Sequence, residues 1–113
     1  MSALAVAVTL VTVVAVGGIA VADLVRAPFV LANSRGVGVP ASWLTPLGLV
    51  KGAGAAGLLL GLVGVPHVDV AAGIGLVLFF VGAVATHLRA GDHHLAFPLG
   101  YLALATAALV VAV

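Results

Sequence analysis

Cysteine is missing from this chain of 113 residues. Its absence removes disulfides, thiolate metal sites and thiol redox chemistry, while leaving the redox compartment open. Charge is almost missing as well. Asp, Glu, Lys and Arg make up 6% of the residues, against about 25% in a soluble domain. Four basic and three acidic side chains give a formal net charge of +1, which excludes the clustered basic footprint of a nucleic-acid binder. No nucleophile elbow, phosphate loop or dinucleotide fingerprint is present, so the chain carries no cofactor signature. His87, His93 and His94 lack the ligand spacing of a metal site, and no metal is expected.

What the chain has is apolar length. Hydrophobic residues account for 65% of it, gathered in runs over residues 3–22, 46–65, 70–89 and 95–113. A helix of about 20 residues, rising about 1.5 Å each, matches a hydrocarbon core of roughly 30 Å. The expected fold is therefore all-α: an integral membrane four-helix bundle, up-down-up-down, in a single domain over 1–113. Ala20-Val21-Ala22 before Asp23 resembles a secretory cleavage site. No cation precedes the first run, however, and that run exceeds the usual signal core of about 7–15 residues. It is read as a retained transmembrane helix.

Between the first two runs, residues 27–44 are too short and too broken to span, with Pro28, Gly36, Gly38 and Pro40. A short interfacial helix over Pro28–Ala32 is expected there, with Trp43 at the headgroup level. Thr45 is expected to cap the next helix, with Pro46 at its first position. Asp69 is expected to cap the third helix, and Pro98 to lie in the first turn of the last. Gly48/Gly52 and Gly57/Gly61 form two G-x-x-x-G pairs. Such pairs let helix backbones approach closely, within one chain or between copies. Arg26, Arg35 and Lys51 flank the first loop and Arg89 the third. The excess of cations places loops 23–45 and 89–94 in the cytoplasm and both termini outside.

Antiparallel connectivity then collects Asp23, Arg26, Lys51, His87, Arg89, Asp92, His93 and His94 at one end of the bundle. For Arg26, Arg35, His93 and His94 the simple reading is that charge is least costly at the interface. Lys51 and His87 lie inside apolar runs, where an ionisable group is a candidate for function and needs a partner. For Lys51 that partner is Asp23, with Asp92 second, as a structural bridge or as part of a site. His87 suits proton movement near neutral pH, or a bond to a backbone carbonyl. Phe79, Ala83 and His87 fall at four-residue steps along one helix face.

The blocks Gly38-Val39-Pro40, Pro46-Leu47-Gly48-Leu49-Val50-Lys51, Gly54-Ala55-Ala56-Gly57-Leu58-Leu59-Leu60-Gly61-Leu62 and Ala72–Ala83, with the ending Ala85-Thr86-His87-Leu88-Arg89-Ala90-Gly91-Asp92, resemble the DoxX-like family. The resemblance implies a small four-helix bacterial integral membrane protein. Some members are named for a subunit of a thiosulfate–quinone oxidoreductase, and others are linked to membrane redox or detoxification complexes. Many members carry a glutamate near the position of Lys51, a departure in this chain. His87, Arg89 and Asp92 match the nearer branch and are carried over as candidates.

Two functional classes follow. In the first, the protein is a membrane subunit or a binder of a lipophilic small molecule such as a quinone, with a polar site at the cytoplasmic end. Its partners would be the lipid bilayer, a second copy or a membrane redox partner. In the second, it is a compact membrane enzyme doing acid/base chemistry: isomerisation, epoxide opening or quinone-linked redox. Asp23, Lys51, His87 and Asp92 are the catalytic candidates, and Arg89, Trp43 and Phe79 the ligand-binding ones. Transport is disfavoured, because no broken-helix repeat is evident.

Overall fold

A computed structural model describes residues 1–113 as five α-helices and one short 3-10 turn, without strands. They are α1 (Ala3–Leu24), α2 (Pro28–Gly36), α3 (Leu44–Leu62), α4 (Val68–Arg89) and α5 (Ala96–Ala112). The 3-10 turn, Ala41–Trp43, runs straight into α3. Three segments, Ala3–Leu24, Ala41–Leu62 and Val68–Arg89, are long and apolar enough to cross a membrane, while α5 is apolar but shorter.

Helix ends follow a common chemistry. The chains leaving α2, α3 and α4 turn through Gly38, Gly64 and Gly91, all with positive φ. In each, the amide of the next residue returns to a carbonyl five positions back: Val39 to Ser34, Val65 to Leu60 and Asp92 to His87. This is the Schellman closure, and it satisfies carbonyls that would otherwise be orphaned. At the end of α1 the same closure, Ala27 to Ala22, is made with Arg26 at φ 53°. A side chain there costs more than glycine would.

The expected boundaries shift where local hydrogen bonds compete. Thr45 is not the cap of α3. Trp43 donates its amide to Pro40, so the helix is already under way when Thr45 and Pro46 enter it. Gly64 ends α3 at Leu62 rather than Val65. Asp69 stands inside α4, one residue past its start, with His67 at the cap; its carboxylate accepts from the Val70 amide at 2.9 Å. The connection after α1 holds a full nine-residue helix, Pro28–Gly36, where a shorter segment was expected.

Each of α1, α3, α4 and α5 touches two of the others: α1 packs on α3 and α5, and α4 on α3 and α5. The core they enclose is thin, comprising Val16, Ala55, Leu58, Leu76, Phe80, Ala105 and Ala108. Larger apolar side chains such as Leu4, Val14, Leu49, Leu78 and Val110 point outward, while Thr9, Thr12, Asp23, Ser34 and His87 are buried. Small and polar groups inside with bulky apolar groups outside is the arrangement suited to lipid, where close backbone packing and interhelical hydrogen bonds replace a hydrophobic drive. Thr12 illustrates it: its hydroxyl donates to Val8 of its own helix and reaches the Leu104 carbonyl on α5 at 3.2 Å.

The glycines of α3 face two neighbours. A Cβ on Gly48 would lie 3.0 Å from Asp23 Cβ on α1, and one on Gly57 would lie 2.7 Å from Ala72 Cβ on α4. One on Gly61 would overlap Asp69. The close-approach pairs thus serve contacts within the chain.

Candidate functional site

The last turn of α1 carries Asp23, which is only 2% exposed. Gly48 lets α3 come against that turn, and one helical turn further on α3 carries Lys51. The Lys51 ammonium lies 2.5 Å from Asp23 Oδ2, and both side chains are nearly shut off from solvent. Oδ2 receives no aligned hydrogen bond, so charge and proximity hold the contact. On its other side the ammonium stands 5.4 Å from the centre of the Phe79 ring, a cation–π distance. One carboxylate therefore uses only part of the donor capacity of Lys51, which has three N–H bonds.

Two turns beyond Phe79, α4 presents His87, which is 6% exposed. Its Nδ1 lies 2.8 Å from the Ala83 carbonyl. A carbonyl only accepts, so Nδ1 carries the proton, and in the neutral ring Nε2 is left as an acceptor. Nε2 is buried and has no partner.

Between these groups lies a cavity of about 500 Å³, roofed by α2 and walled by α1, α3, α4 and α5. Lys51 and His87 line it, with Phe79 and Trp43. Ser34 and Thr86 also face it, but their hydroxyls are spent on helix carbonyls, those of Val30 and Gly82. An aromatic series runs along the wall. Phe29 of α2 stacks on Phe97 of α5 at 6.4 Å, Phe97 on Tyr101 at 6.0 Å, and Tyr101 on Phe80 at 5.3 Å. A largely apolar cavity with a few convergent polar groups is the ordinary form of a small-molecule site.

The family comparison bears on the same helices. A model of the DoxX-like family matches residues 7–108 of the 113. The chain belongs to the DoxX-like family. No curated protein and no solved structure gave a significant match. In this DoxX-like chain the match runs from α1 into α5 and so takes in every cavity wall.

Of the candidate residues, Asp23, Lys51, His87, Trp43 and Phe79 come together at the cavity or directly behind it. Arg89 and Asp92 do not. Arg89 is exposed at the end of α4. Asp92 turns to its own loop, accepting from the His94 amide at 2.9 Å and facing the His94 ring at 3.0 Å. The His94 amide first, and then its ring, hold the Asp92 carboxyl below its ordinary value of 3.8. With that local turn available, a reach across to Lys51 is not made. Nowhere do three His, Asp or Glu side chains gather in a way that would hold a metal ion.

The contributions of α2 and α5 were not foreseen. Val30, Ser34 and Val37 form a buried stripe toward the cavity, and Phe97 and Tyr101 supply one wall. Both sets follow helical spacing, i, i+4, i+7 and i, i+4.

Proposed function

We propose that this DoxX-like protein is a multi-pass membrane protein that binds a lipophilic small molecule in the cavity beneath α2, alone or as the membrane subunit of a larger complex. In this reading α1, α3, α4 and α5 cross the bilayer as an up-down-up-down bundle. The pattern of helix neighbours supports it, because each helix touches the two it would adjoin in such a bundle. The cations Arg26, Arg35 and Lys51 argue for α2 and the 89–94 loop on the cytoplasmic side and the termini outside.

The observation that carries the proposal is the cavity of about 500 Å³ beside Lys51 and His87. Apolar and aromatic walls suit an apolar, planar molecule. Lys51 and Asp23 cancel in charge, so the site favours an uncharged head that accepts a hydrogen bond from the ammonium. The unpartnered His87 Nε2 favours a second, catalytic reading: the ring as general base, with the Lys51 ammonium stabilising developing negative charge.

Trp43 is the single tryptophan and lines the cavity, so its fluorescence reports occupancy. With the protein in lipid nanodiscs, 2-methyl-1,4-naphthoquinone is expected to quench Trp43 saturably. Ala83→Leu, which projects a larger side chain into the cavity, is expected to weaken that binding at least tenfold. Quenching that rises without saturation and ignores Ala83→Leu is plain partitioning into lipid, and contradicts the proposal.

A further inference from the structure

A second apolar hollow, of about 370 Å³, lies between α1 and α5, lined by Ala15, Ala96, Phe97, Gly100, Tyr101 and Leu104. Phe97 and Tyr101 also line the main cavity, so the two spaces share a wall of two aromatic rings. Resting on the ligand-binding reading above, we infer that the ligand is a single-chain amphiphile. Its uncharged head occupies the cavity beside Lys51, and its alkyl tail passes Phe97 and Tyr101 to lie in the groove between α1 and α5.

Three observations argue for a tail there. The groove is built from small residues, Ala15, Ala96 and Gly100, and a Cβ added at Gly100 would meet nothing within 4 Å. It has almost no polar lining to attract a second polar head; Tyr101, at the shared wall, carries the one hydroxyl. It also has the length of a chain. Leu104 stands eight residues beyond Ala96 on one helix, about 12 Å of rise, which an extended tail of roughly ten carbons spans. The neutrality of the Lys51–Asp23 pair keeps the head class to hydroxyl or carbonyl compounds rather than fatty acids or phosphates.

The test compares 4-propylphenol with 4-decylphenol by Trp43 fluorescence in nanodiscs, for the wild type and for Gly100→Leu. Both proteins meet the same membrane concentration of each phenol, so bilayer partitioning cancels in the ratio. Gly100→Leu is expected to lower affinity for the decyl compound at least tenfold and to leave the propyl compound within twofold. Ala96→Leu, at an exposed position of the same groove, is expected to repeat the result if Gly100→Leu folds poorly. Equal effects on both phenols, or none on either, overturn the tail assignment while the cavity reading stands. Failure of the wild type to bind either phenol overturns both.

Discussion

The two halves of this helix assembly solve the same packing problem differently. In the half near the α3–α4 connection the backbones are pressed together: Gly57 against Ala72, Gly61 against Asp69, and Gly73 of α4 against Leu109 of α5. Ala105 and Ala108 are fully buried there, and Thr12 binds across to α5. In the half beneath α2 only Gly48 brings two helices close, and α1 and α3 meet there through a desolvated ion pair. Large rings replace small residues, and a cavity remains. Where lipid supplies no hydrophobic drive between helices, small side chains pressed together join one half, and in the other the rings stand around a gap that is able to hold a guest.

That contrast can be broken first at the ion pair. Asp23→Ala or Lys51→Ala alone leaves one buried charge uncompensated, and each is expected to cost about 3–5 kcal/mol of unfolding free energy. Asp23→Leu combined with Lys51→Met removes both charges and is expected to lie near the wild type, since well-packed apolar replacement of a buried pair is often neutral. Denaturation in mixed micelles checks both. A double variant as weak as either single would show that the pair is not a self-contained unit.

The closely packed half yields next. Gly57→Val places atoms where Ala72 Cβ already stands, and a loss of about 1–3 kcal/mol is expected in the same assay. Gly75→Ala, where an added Cβ meets nothing within 4 Å, is expected to stay within about 0.5 kcal/mol. Equal effects at Gly57 and Gly75 would remove the distinction between packed and open glycines.

Much of this was legible in the residues. The long apolar runs declare themselves because lipid requires uninterrupted helix. Lys51 declares its partner, because an ammonium inside such a run needs one, and the connectivity brings Asp23 to its level. The close-approach glycines were legible as a type, though not as contacts made within the chain. The roof was harder to see. Gly36, Gly38 and Pro40 mark the connection as broken, yet Gly36 is the last residue of a complete helix that a Schellman turn at Gly38 closes. Its cavity stripe includes Ser34, whose polarity disappears only because the hydroxyl bonds Val30. In α5 apolar residues surround the whole helix, so periodicity does not single out Phe97 and Tyr101. Asp92 misleads for the opposite reason: a turn two residues long satisfies it more readily than a reach across to Lys51.

The most direct measurement uses the absence of cysteine, which makes any introduced thiol unique. Ala83→Cys stands on the cavity wall and Ala105→Cys in the packed core. Both variants are reacted in nanodiscs with a small uncharged methanethiosulfonate, with and without 2-methyl-1,4-naphthoquinone. The account predicts that the thiol at 83 reacts many times faster than that at 105, and that the naphthoquinone protects it. Equal rates at the two positions, or no protection at 83, would contradict the claim that one half of this protein is built to stay open for a ligand.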